Sequence, residues 1–318
     1  MRSGYIDVHQ HPVPEVYRKA LDGIGVKGSG TRPFPDWSAA ATVELMDRTG
    51  IDGAVMSIAS PGIYFGDIAF TKKLSRECNE DFARLVSGHP GRFAAVGLVP
   101  LPDVAAAARE LEYALDTLKL DGVLLLTHIA DRYLGHPDFD EFFAELDRRG
   151  ALIMLHPVRP PIAGLPAASY PDGYTELAFD TTRATANMLW NGTLHKYPRI
   201  RYLMPHGGGV TPFLLFRLLG FDDNPKVRER LPEGVAAHLR RFYYDVAQAA
   251  GPASLRALME VADPTRIMYG SDYPFAFNPE KALIDTIDAV ENFGGFDDAQ
   301  RRLVARDNAL ALFPRLAR

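Results

Sequence analysis

The sequence predicts a single (β/α)₈ TIM barrel, and three observations point to it. Eight short apolar runs rich in β-branched and aromatic residues recur along the 318 residues. Each is followed by a longer stretch with helical periodicity, as alternating strands and helices require. Side chains able to bind metal or transfer protons also cluster at the C-terminal ends of these runs, where barrels of this kind place their chemistry.

The predicted strands are residues 5–8, 53–58, 93–99, 122–127, 152–155, 200–204, 242–246 and 267–269. Several are apolar at nearly every position, which suits parallel strands buried on both faces. Helices are predicted over 39–49, 71–87, 104–118, 139–149, 180–196, 252–261 and 280–292. Ser38, Pro102-Asp103 and Asn278-Pro279 supply helix-start signals. No Gly-x-Gly-x-x-Gly follows the first strand, so a dinucleotide fold is disfavoured. No internal repeat divides the chain, and residues 1–318 read as one domain, a common size for a barrel. Two connections, 12–37 and the proline-rich 157–179, are longer than scaffolding needs. Both leave strand C-termini and are expected to form lids or pocket walls.

The net charge is −5 and the 35 basic residues are scattered, so no nucleic-acid surface is expected. Cys78 is the single cysteine, cannot form an intrachain disulfide, and reads as a small packed residue. No apolar run approaches the ~18 residues of a membrane span, and no leader-like segment opens the chain. A cytoplasmic, membrane-free setting is expected.

His9 and His11 end the first predicted strand two residues apart, so both imidazoles can aim into the barrel mouth. His156 closes strand 5, His206 follows strand 6 and Asp272 follows strand 8. A His-x-His pair alone is a modest signal. Five such side chains at strand ends point to a site for a divalent ion, with zinc the first candidate and manganese possible. Phe275 and Phe277 after strand 8, and Tyr170 and Tyr174 in the loop after strand 5, are candidates to clamp a planar ring. The other histidines have plainer readings. His89 and His195 fall near the barrel bottom, His136 at a helix start, and His238 on a helix where it is expected to be solvated; His128 stays ambiguous.

From Ile6 to the closing Asn308-Ala309-Leu310-Ala311-Leu312-Phe313, the chain resembles the amidohydrolase superfamily. The likeness is to its amidohydrolase-2 branch, which includes aminocarboxymuconate semialdehyde and γ-resorcylate decarboxylases. Tyr133-Leu134-Gly135-His136-Pro137 and Phe179-Asp180-Thr181-Thr182-Arg183-Ala184 resemble the 6-methylsalicylate decarboxylase subgroup. The resemblance implies His9, His11, His156 and Asp272 as metal ligands, with Asp272 also handling a proton, and His206 either behind the ligands or contacting substrate as acid–base partner. It implies that Arg217, eleven residues after His206, binds the substrate carboxylate, often across a dimer interface, and hence a homodimer. A second carboxylate-binding arginine of some relatives corresponds to Thr42, which favours a one-carboxylate substrate. Strand 4 lacks the lysine that bridges two metals in binuclear relatives, which favours one ion.

The leading expectation is non-oxidative decarboxylation of a small aromatic acid of the o-hydroxybenzoate type, without an organic cofactor. The alternative is hydrolysis of a lactone, ester or amide by a metal-activated water. A non-enzymatic binding barrel is a third reading.

Overall fold

All eight predicted strands form in the computed structural model, which describes residues 4–30, 32–162, 169–276 and 278–317. They are β1 Tyr5–Gln10, β2 Ile51–Met56, β3 Phe93–Gly97, β4 Gly122–Leu126, β5 Leu152–His156, β6 Arg201–Met204, β7 Tyr243–Asp245 and β8 Ile267–Met268. They lie in chain order in one sheet, every neighbouring pair parallel. The amides of Val8, His11 and Asp272 bond the carbonyls of Tyr269, Tyr273 and His9 at 3.0, 2.7 and 2.9 Å, drawing the first strand against the last. The result is a nearly closed barrel.

Period-2 alternation separates two apolar layers. Leu152 and Met154 share the face of His156, and with Leu124, Leu203 and Met268 they join one buried cluster. Val123, Leu125, Ile153, Leu155, Tyr202 and Met204 join the other, with Phe142, Phe143 and Met188 from the surrounding helices.

The helices are α1 Glu15–Gly23, α2 Ala39–Thr49, α3 Ile68–Gly88, α4 Val104–Glu112, α5 Asp140–Arg149, α6 Glu176–Trp190, α7 Pro252–Met259 and α8 Pro279–Glu291, with shorter pieces between. The Ser38, Asp103 and Asn278 side chains accept from the amides of Ala41, Ala106 and Lys281, as N-caps do. The first long connection is more ordered than expected: it holds α1 and a small hairpin pairing Gly28–Ser29 with Arg32–Pro33. Tyr17 and Leu21 of α1 are buried, so this segment is packed against the barrel.

His238 departs from expectation. Its side chain is 1% exposed, because the helix Val235–Leu239 turns that face inward with Val235 and Leu239. Cys78 is buried and unpaired. Among the described residues no helix is long and apolar enough to cross a membrane.

Candidate metal centre and active site

At the end of β1, period 2 points His9 and His11 the same way, and each ring is anchored through Nδ1. His9 Nδ1 donates to Asp245 Oδ2 at 2.8 Å. His11 Nδ1 lies 3.1 Å from the carbonyl of Ser57, just past β2. His156 Nδ1 lies 2.8 Å from the carbonyl of Pro157. Acceptors at Nδ1 fix the tautomer, so the three Nε2 atoms are left to hold a proton or a metal.

These Nε2 atoms converge. His9 Nε2 and His11 Nε2 are 2.8 Å apart, and Asp272 Oδ1 lies 3.5 and 3.1 Å from them. His156 Nε2 is buried with no hydrogen-bond partner among the described residues. One donor atom from each of His9, His11, His156 and Asp272 lies within 4.8 Å of every other. Donors around a tetrahedral ion at about 2.0–2.1 Å sit about 3.3 Å apart, so these separations fit a zinc-sized cation. An orphaned imidazole nitrogen facing a carboxylate and two more imidazoles is costly unless a cation satisfies it. The residues fit a divalent ion.

The electrostatics agree. Burial pushes His9 down, but the charges of Asp245 and Asp272 outweigh it and raise His9 to about 10, a measure of how strongly this spot attracts positive charge. Burial, with the neighbouring imidazoles, holds His156 well below the usual imidazole range, and burial chiefly lowers His11, so both suit neutral metal-binding imidazoles. Burial alone would raise Asp272, but hydrogen bonds and charge from His11 and His9 hold it well below the carboxylate range. Burial and His9 lower His206 to about 4.

His206 Nε2 is 3.9 Å from Asp272 Oδ2. The backbone is strained around this pair. His206, Gln248 and Asp272 have φ of 53°, 52° and 64°, a region that non-glycine residues enter at a cost of about 1–3 kcal/mol each. Gly270 is required by crowding, since a Cβ there would sit 2.8 Å from that of His9.

Sequence reasoning missed three residues. Asp245 accepts from His9 and, through Oδ1, from the amides of His206 and Ala247 at 3.0 Å each, so it holds the His9 ring and the His206 backbone together. A buried carboxylate at a strand end was the available signal. Gln248 donates to Asp272 Oδ2. Arg32 lines the cleft above the cluster and makes no ion pair with a described residue.

That cleft, about 440 Å³, is floored by His11, His156, His206 and Asp272. Both long connections wall it, through Ser29 and Arg32 from the first and Arg159 and Tyr174 from the second. Phe275 is among its lining residues, its ring 6.0 Å from that of His11. Tyr170 is half exposed, hydrogen-bonded to Thr175, and does not line the cleft. Phe277 lies outside the described residues. Arg217 is exposed on the helix Leu215–Leu218, beside Phe213 and Phe216 at 84% and 89% exposure, and does not reach the cleft of its own chain. His128 Nε2 contacts the carbonyl of Arg159 at 2.9 Å, outside the cluster.

A 6-methylsalicylic acid decarboxylase from Penicillium expansum is 33% identical over 98% of this chain and 96% of its own. The crystal structure of an amidohydrolase II superposes with a TM-score of 0.88 at 29% identity, covering 98% of this chain and 99% of that one. A 5-carboxyvanillate decarboxylase from Novosphingobium aromaticivorans, solved with manganese and a nitrobenzoic acid, superposes at 0.82 with 21% identity, covering 98% and 96%. Residues 6–315 match the family described as Amidohydrolase (Amidohydro_2), and the chain belongs to that family.

Proposed function

We propose that the chain is a metal-dependent carboxy-lyase that removes CO₂ non-oxidatively from a small o-hydroxybenzoate of the 6-methylsalicylate kind. The observation that carries this reading is the convergence of three Nδ1-anchored imidazoles and Asp272 on the floor of a cleft, with His206 beside them. The 6-methylsalicylic acid decarboxylase relative, matched over nearly both whole chains, favours decarboxylation over hydrolysis.

His9, His11, His156 and Asp272 would hold one divalent ion. Zinc suits this donor set, and the manganese of the 5-carboxyvanillate decarboxylase makes manganese the other candidate. When bound, the ion supplies orientation and charge withdrawal at the substrate's phenolic and carboxylate oxygens.

The chain's own side chains do the rest. Arg32, which makes no ion pair with a described residue, would meet the carboxylate, and Phe275 would flank the ring. A ligating carboxylate is ionised, so the proton that Asp272 delivers arrives with the substrate. Asp272 takes the phenolic proton and passes it to the ring carbon bearing the carboxylate. The C–C bond then breaks, CO₂ leaves, and the ring recovers its aromaticity as a phenolate that draws a proton from water. His206 steadies the proton on Asp272. Arg217, exposed beside Phe213 and Phe216, would serve a neighbouring subunit in a homodimer.

Following CO₂ release from ring-substituted benzoates by zinc- or manganese-loaded protein tests the reading. Turnover is expected with 6-methylsalicylate or close o-hydroxy acids and not with the analogue lacking the hydroxyl. Hydrolysis of a lactone or ester, with no CO₂ from any salicylate, would overturn it.

A further inference from the structure

His195 and His238 take no part in the cleft, yet the fold brings them together. His195 sits on the short helix Thr193–Lys196 before β6, and His238 on Val235–Leu239 before β7. Both therefore lie toward the N-terminal ends of the strands, opposite the catalytic mouth. Glu233 stands between them. Its Oε2 is 2.9 Å from His195 Nδ1 and 3.1 Å from His238 Nε2, and its Oε1 is 3.1 Å from His195 Nδ1.

Two imidazole nitrogens and one carboxylate oxygen form a borderline-soft donor set of the kind zinc takes. The oxygen lies 2.9 and 3.1 Å from the two nitrogens, a few tenths short of the spacing around a tetrahedral ion, and all three donor atoms lie within 4.8 Å of one another. No lysine or arginine among the described residues pairs with Glu233, so its charge faces only the two imidazoles. The His195 and Glu233 side chains are 44% and 48% exposed, while that of His238 is 1% exposed. An ion can thus enter from solvent, keep water in its open position, and bind a nitrogen held in place by the core.

We infer that His195, Glu233 and His238 form a second divalent transition-metal site of the zinc class. It is separate from the cleft and staples the connection before β6 to the one before β7. Its role is structural, and it holds the ion whether or not the mouth site is filled.

Chelator-stripped full-length protein is dialysed against zinc and counted by elemental analysis. The wild type should bind two ions per chain, and His195→Ala/Glu233→Gln should bind one with decarboxylation unchanged. His156→Ala should keep the lower ion, and zinc should raise its melting temperature by about 1–2 °C. A double variant that binds as many ions as the wild type overturns the proposal, as does a His156→Ala protein that binds none. The two sites are read separately: if the double variant loses one ion while His156→Ala loses none, the lower site stands and the mouth assignment fails.

Discussion

The mouth of the barrel has two unlike halves. Around β1 and β5–β8 every strand end carries chemistry: His9, His11, His156, His206, Asp245 and Asp272 touch one another or share a partner. Around β3 and β4 the strands end in Leu98, Val99 and Leu126, which line an apolar recess of about 340 Å³ with Ile58 and Ile63. β2 contributes mainly an anchor, the Ser57 carbonyl against His11. One half gathers the polar side chains of the proposed site. The other supplies shape. Substitutions in the first should therefore change chemistry while leaving the fold, and substitutions in the second should do the reverse.

Asp272→Asn is the hardest test of the polar half. It keeps the shape but removes the charge of the proposed ligand and proton carrier, so the single-turnover rate should fall at least about a hundredfold. A near-normal rate would break the comparison at its centre. Arg32→Met should leave metal content intact and raise the inhibition constant of a carboxylated inhibitor by roughly ten- to a hundredfold, the value of about 1.5–3 kcal/mol for one charge-assisted contact. Arg217→Met should do the same if the partner subunit uses it, with Arg217→Lys rescuing poorly. Mixed dimers of Arg217→Met and Asp272→Asn subunits should then regain activity, and verified mixed dimers without activity would remove the trans role.

Asp245→Asn probes the same half from behind, because Asp245 is buried and does not line the cleft. Loss of its charge behind His9 should weaken metal affinity by about ten- to a hundredfold, as carboxylates behind histidine ligands do, and excess metal should restore much of the activity. Leu98→Ala probes the apolar half. Its side chain is 3% exposed, so truncation should cost about 2–5 kcal/mol in denaturant unfolding while metal content and turnover barely change.

The sequence made the barrel legible because buried parallel strands are written as apolar runs of recognisable length. The site was legible because histidines and Asp272 stood where those runs end. Asp245 escaped notice because nothing local shows that a carboxylate on β7 faces an imidazole on β1, 236 residues away. Gln248 and the left-handed backbone of His206 and Asp272 are products of closure, not of local pattern. Arg32 was hidden in a connection whose hairpin gives only a two-residue strand signal. His238 was misread because its charged neighbourhood suggested solvent, whereas Val235 and Leu239 carry its face into the core.

The central claim is that His9, His11, His156 and Asp272 hold one ion on which activity depends, and His156→Ala tests it most directly. Its Nε2 has no other partner among the described residues, so removing it should disturb little besides the ion. Wild type and variant are stripped, reloaded with zinc or manganese, and compared by elemental analysis beside CO₂ release. His156→Ala is expected to hold one ion fewer per chain and to release no CO₂. A variant with the full metal content of the wild type would contradict it.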